Sequence, residues 1–236
     1  MKTLALLSLL TAVAAPSAAQ YDYSSDRSLP RSVALGGALH YGSPQGDFAS
    51  NVNAAFGLNG YAGWQLGNSP LLIRADLGYD LYGSRSWRAP LGSGPLGLIA
   101  VDVNTTNNIF NGGIGLQAGL PGRALSPYVG GSIGFASFVT RSSVSGSDQY
   151  NSEAFASSTN YSDGTFAKTL YGGLYIPVGS RGGAIDLGVR YHWNGEARYL
   201  TRDDIAFDQN DEPVLSPRRS RADLLTIHVG FSFKRR

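Results

Sequence analysis

The chain has 236 residues, of which 42% are hydrophobic, 11% aromatic and only 15% charged, against about 25% charged in an ordinary soluble domain. A formal net charge of +2 creates no field that would recruit nucleic acid. The absence of Cys excludes disulfides, thiolate metal sites and thiol nucleophiles. The 31 glycines carry no Gly-X-Y period, so a collagen is excluded too.

Residues 1–19 read as a secretory signal peptide. Lys2 precedes an apolar stretch from Leu4 to Ala15, and Ser17, Ala18 and Ala19 place small residues before a cleavage point at Gln20. The stretch is too short to span a membrane as a helix, and no later segment offers about eighteen uninterrupted apolar residues. Residues 20–30 form a short N-terminal extension, expected in the periplasm, and 31–236 carry the folded domain.

That domain has a period of two. Val33, Leu35, Gly37, Leu39 and Tyr41 alternate with Ser32, Ala34, Gly36, Ala38 and His40. Phe56, Leu58, Gly60, Ala62, Trp64 and Leu66 form a second such row, and Ile73, Ala75, Leu77, Tyr79 and Leu81 a third, opposed by Arg74, Asp76, Gly78 and Asp80. Phe110 to Leu120 and Val129 to Phe135 supply two more. The segment 165–176 has the weakest phase; it is read with Lys168 inward and Tyr171 and Tyr175 outward. Ile185, Leu187, Val189, Tyr191 and Trp193 then oppose Asp186, Gly188, Arg190 and His192, and Leu225 to Phe233 closes the series. Alternation over five or more residues predicts strands, because the same order on a helix would smear apolar residues around its circumference.

Eight strands are predicted, joined alternately by short and long connections. The short ones are 67–70, 121–126 and 178–183; the long ones are 43–51, 84–98, 141–164 and 195–222. An even strand number with this asymmetry predicts a transmembrane antiparallel up-and-down β-barrel, both termini lying at the short-turn end. Closure is what lipid demands, since it offers no partner to a free strand edge. The apolar rows face outward, with Trp64, Tyr79, Tyr191, Trp193 and Phe233 in two aromatic girdles. Arg74, Asp76, Asp80, Lys168, Asp186 and Arg190 face inward as a lumen charge network, because buried charges persist only when paired.

The runs Ala75 to Tyr82, Gly188 to Trp193 and Leu225 to Phe233 resemble the small eight-stranded outer-membrane β-barrel family, which includes the transmembrane domain of OmpA-like proteins. The resemblance covers the whole mature chain. It implies an outer-membrane location and recognition by the barrel-assembly machinery through a closing aromatic, here Phe233 followed by Lys234, Arg235 and Arg236.

Several patterns suggest chemistry and are weaker than they look. Gly92 to Gly97 matches G-x-G-x-x-G, but it contains Pro95 and opens no helix. Gly130 to Gly134 matches G-x-S-x-G in mid-strand, where no nucleophile elbow forms. His40, His192 and His228 share the inward side, His228 lower than the others; three imidazoles are a metal set, but lumens need polar fillers, and no metal or cofactor is expected. Lipid A deacylases of this architecture place Ser two residues after a catalytic His. Here Asn194 follows His192 and cannot attack an ester, although Glu196 could orient the imidazole. Arg218, Arg219 and Arg221 suit contact with lipopolysaccharide phosphates. The expected function is non-enzymatic, structural or surface-interacting, with outer-membrane lipid and lipopolysaccharide as partners. The alternatives are a narrow ion-conducting channel or a lipid A-modifying enzyme.

Overall fold

The computed structural model describes residues 32–90, 100–119, 125–146, 154–179, 182–201, 204–207 and 213–235. The leader, the extension at 20–30 and the Gly92–Gly97 motif lie outside these residues. The strands are β1 (Val33–Pro44), β2 (Ala55–Gln65), β3 (Leu71–Pro90), β4 (Ala100–Gly119), β5 (Ser126–Gly146), β6 (Ala154–Val178) and β7 (Gly183–Asn194). Four short strands follow, β8 (Glu196–Tyr199), β9 (Ile205–Phe207), β10 (Pro213–Leu215) and β11 (Arg218–Arg221), and then β12 (Leu224–Arg235).

β1 to β7 and β12 form one closed antiparallel ring in which each strand pairs with its sequence neighbours and β12 returns to β1. The closing ladder runs from Val33 opposite Arg235 to Pro44 opposite Leu224. The eight-stranded barrel expected from the period of two is therefore present, with β1 starting and β12 ending at the short-turn end.

The exterior is apolar. Leu77 is 70% exposed, Leu39 67% and Ile114 66%, values that water-soluble cores do not leave on strand after strand. Aromatic pairs continue around one level of it: Tyr41 packs on Phe56 at 5.2 Å, Tyr79 on Phe110 at 5.1 Å and Tyr191 on Trp193 at 4.6 Å between ring centroids. Trp64 and Phe233 lie exposed toward the short-turn end, so the five expected girdle residues fall on two levels.

One expected phase is corrected. Lys168 does not enter the lumen; it is exposed on the outer face, while Tyr171 and Tyr175 point inward. Phe166, Leu170 and Leu174 form the outward apolar row of β6. A shift of one residue exchanges the two faces of a strand, and burying three apolar side chains against lipid outweighs holding one lysine inside.

The long connections also differ from expectation, since four barrel strands run on into them. β3 to β6 contain 20, 20, 21 and 25 residues, against 11 or 12 in β1, β2, β7 and β12. The extra length stands as a four-stranded blade over one side of the long-loop end, its ladder reaching Pro90 opposite Ala100 and Ser145 opposite Ala154. Hydroxyl and amide side chains hold it, as where Thr105 meets Ser142 at 2.5 Å and Asn160 donates to Ser142 at 2.7 Å. Its apolar row is short, Trp87, Val103, Val144 and Ala156 being register partners across the four strands, so the alternation is weak in the sequence although the strands continue.

The same end is corked from within. A 3-10 turn at Gly46–Ser50 inserts Phe48, fully buried, among Tyr82, Phe138 and Tyr199, at centroid distances of 5.7, 6.3 and 5.1 Å. Gly46 starts that turn at φ +57°, where a side chain is disfavoured. Val52, Ile109 and Leu224 belong to the same apolar cluster. Phe48→Ala is expected to cost about 3–5 kcal/mol of local stability. Hydrogen exchange at Val52 and Tyr199 amides should accelerate, while exchange in the lower half of β1 and β12 stays slow.

Candidate functional site

The lumen is a continuous polar stack beneath the cork, built from the inward half of each strand. β3 contributes most, because alternate positions bring Arg74, Asp76, Gly78, Asp80 and Tyr82 onto one side. His40 Nε2 lies 2.5 Å from Asp80 Oδ1, and Asn111 donates to the other carboxylate oxygen at 2.9 Å. This approach needs Gly57, since a Cβ there would land on the His40 ring and 2.8 Å from Asp80 Oδ1.

Deeper in, Arg74 Nε donates to both oxygens of Asp76 at 2.9 and 3.0 Å, and Arg190 Nη1 reaches the same carboxylate at 3.1 Å. Arg74 Nη1 donates to Gln117 at 2.7 Å. The Arg74 guanidinium lies between the rings of Tyr61 and Tyr171, 3.6 and 4.7 Å from their centroids. One carboxylate thus serves two guanidinium groups, and aromatic faces stabilise the remaining charge. A third cluster joins Asp186 to Tyr128, whose hydroxyl donates at 2.7 Å, and to His228 Nε2 at 3.4 Å. Tyr61 and Tyr175 meet at 3.0 Å below it.

Five of the six expected lumen residues are therefore brought together, and Lys168 is not. Tyr61, Gln117 and Tyr128 lie on inward faces that the alternation marks but were not assigned to the site. Tyr171 and Tyr175 were hidden by the phase of β6, which the Phe166, Leu170 and Leu174 row would have set.

The space left inside is small. A cavity of about 20 Å³ beside Arg190, His192, Asp76 and Asn111 has room for a water molecule. At the short-turn end a funnel of about 490 Å³ opens, lined among others by Tyr61, Gln65, Gln117, Tyr175 and Ser232. It ends on the Tyr61–Tyr175 pair.

The three histidines do not converge. His40 and His228 are register partners, so His228 is not lower than His40, yet they turn to different carboxylates. His192 Nδ1 meets the Thr169 hydroxyl at 3.0 Å. Among the described residues no group of three His, Asp or Glu is placed to hold a metal ion. Glu196 does not orient His192. It lies exposed on β8 and pairs with Arg219 at 2.9 Å, while His192 is inside the barrel. The Ser132 of G-x-S-x-G lies within the lumen wall, beside the small cavity.

The expected lipopolysaccharide arginines are split between two faces. Arg219 and Arg221 are exposed on the outside of the β8–β11 ribbon. Arg218 instead reaches Asp204 at 2.7 Å and Asn51 at 2.7 Å. Burial would raise the Asp204 carboxyl, but the Thr201 hydroxyl and amide together with Arg218 hold it below its ordinary value.

No family model matches the chain, and no curated protein matches it. Similar solved structures include Neisserial surface protein A, with a TM-score of 0.47 at 13% identity over 85% of this chain and 96% of that one. Ail, the attachment invasion locus protein of Yersinia pestis, gives 0.42 at 11% identity over 87% and 99%. The N-terminal β-barrel domain of Pseudomonas aeruginosa OprF gives 0.37 at 13% over 87% and 98%. The ladder and the polarity by themselves define the class, a closed eight-stranded antiparallel β-barrel with an apolar exterior and a filled polar lumen.

Two outcomes are expected. Asp76→Asn strips two buried guanidinium groups of their carboxylate and should destabilise the barrel by about 3–5 kcal/mol in urea unfolding from lipid vesicles; a change below about 1 kcal/mol would refute the shared-carboxylate account. The Arg218–Asp204 contact, present above the ordinary carboxylate pKa of about 4, should be lost as pH falls below it, because the folded-state value is depressed. NMR of Arg218 in micelles should show this transition, and Asp204→Asn should abolish it.

Proposed function

We propose that the chain is a non-enzymatic outer-membrane β-barrel protein with a structural and surface-interaction role. The carrying observation is the inverted polarity of a closed ring: an apolar belt outside, and an interior in which Asp76, Asp80 and Asp186 are paired with Arg74, Arg190, His40 and His228. A soluble barrel of this size would bury the belt and wet the charges. Lipid reverses both demands, and an edgeless sheet satisfies every main-chain donor within it. The long-loop end then faces outside the cell and the funnel faces the periplasm. The closing aromatic Phe233 is the signal we assign to the barrel-assembly machinery.

The blade supports the interaction role. It raises polar side chains above the belt, Ser84 and Ser86 at Asn104 and the exposed Arg88–Asp102 pair among them, where a partner can reach them. The channel alternative is opposed by the Phe48 cork and by the small cavity between cork and funnel. The enzyme alternative is opposed by the enclosed position of His192.

Fractionation and gel mobility test this reading. The mature protein should sediment with outer membranes and migrate differently when unboiled, and in planar bilayers it should give no sustained conductance steps. A soluble protein with no heat-dependent shift would overturn the membrane reading. Steady steps would overturn the closed lumen, and fatty-acid release from lipid A lost in His192→Ala would overturn the non-enzymatic assignment.

A further inference from the structure

We infer that the outer face of the β8–β11 ribbon, continued downward to Lys168, is a binding surface for a phosphorylated glycolipid of the outer leaflet; the inference rests on the membrane orientation proposed above. The ribbon alternates like the barrel. Ala197 and Tyr199 are buried against the cork, and the Tyr199 hydroxyl meets Ser220 at 2.8 Å. Glu196 and Arg198 of β8, and Arg219 and Arg221 of β11, therefore share the opposite, exposed face.

The register on that face is unfavourable for the protein alone. Arg198 stands directly opposite Arg219, and like charges opposite one another destabilise a strand pair. Among the described residues no carboxylate lies within ion-pair distance of the Arg198 guanidinium. The neighbouring acids do not remove the excess. Asp163 uses its two oxygens on the main-chain N–H groups of Gly164 and Arg198, at 2.9 and 2.7 Å. Asp223 accepts from the Asn194 N–H at 3.1 Å and is 3.8 Å from Arg221. Glu196 holds Arg219 in a pair exposed by 58% and 63% on its two sides, and such a pair exchanges easily for another anion.

Height supplies the second observation. Lys168 is the register partner of Trp193, on the apolar exterior between Phe166 and Leu170. A lysine there must extend along the surface until its ammonium reaches the polar boundary. Glu196, opposite Arg221, is three residues beyond Trp193, so the arginines begin about 10 Å further along the strand. A cation at the girdle with guanidinium forks directly above it matches a lipid whose phosphates sit at the boundary and whose acyl chains run down past Trp193, Phe166 and Leu170. Guanidinium forks bind phosphate in two-point fashion, and the phosphate would relieve the Arg198–Arg219 repulsion. Arg218, held by Asp204 and Asn51, is not part of this surface.

The test uses the full mature protein folded in phosphatidylcholine vesicles doped with bis-phosphorylated lipid A or with its dephosphorylated form, bound lipid being counted by native mass spectrometry. Wild type should retain the phosphorylated lipid in preference to the other. The combined variant Arg198→Gln, Arg219→Gln, Arg221→Gln should lose about tenfold in retention, Lys168→Gln about threefold, and Arg218→Gln less than about twofold. Equal retention of the two lipids, an unaffected combined variant, or displacement by millimolar inorganic phosphate alone would overturn the site. The heat-dependent gel shift is recorded for every variant. A wild type that lacks it refutes the membrane reading, whereas shifted variants with unchanged lipid retention refute only the site.

Discussion

The ladder between β1 and β12 is the constraint from which the remaining features follow. Twelve register pairs join the first strand to the last, and without them the sheet would present two free edges to lipid, each with a row of unpaired N–H and C=O groups. Closure also fixes the radius. An eight-stranded ring leaves an interior just wide enough for side chains, so each large lumen residue must be matched by a small one across the sheet. Gly57 beneath the His40–Asp80 pair is the clearest instance.

A lumen of that width cannot hold bulk water, so it must behave as a core made of polar parts. Each buried carboxylate is accordingly assigned: Asp76 to two arginines, Asp80 to His40 and Asn111, Asp186 to Tyr128 and His228. Tyrosines fill the gaps because each ring packs like an apolar residue and ends in a hydroxyl that can join the network. At the long-loop end the logic changes to an ordinary hydrophobic core around Phe48. The molecule thus stacks two kinds of interior, a salt-bridged one at the level of the apolar belt and an apolar one above it, where water surrounds the wall.

Much of this was readable from the chain, for a physical reason. Wherever one face meets lipid and the other the lumen, residues must alternate, and in β1, β2, the first half of β3, β7 and β12 they do. The reading failed where that contrast weakens. On β6, Tyr171 and Tyr175 are amphipathic enough to fit either face, so Lys168 misled the phase. Beyond Leu81 and Thr140 the strands leave the belt, the apolar row shrinks to a few residues such as Trp87, Val103 and Val144 among Ser, Thr and Asn, and a strand looks like a loop. The arginines near the end were recognised as a group, but which of them share a face depends on the pairing of Glu196–Tyr199 with Arg218–Arg221, a register that no local pattern encodes.

The asymmetry between the two ends has the same origin. At the short-turn end the strands reverse within a few residues, so geometry is used up in making the reversal. At the other end the chain is free to lengthen, and it does so in two unequal ways. β3 to β6 rise as a blade that carries the barrel ladder on to Pro90 opposite Ala100 and Ser145 opposite Ala154. β8 and β11 rise on the side of β7 and β12 as a ribbon that places Arg198 against Arg219. The second is costly for an isolated fold, because like charges stand opposite one another. That cost falls where the barrel's stability does not depend on it, so the long-loop end can change without loosening the closed sheet below.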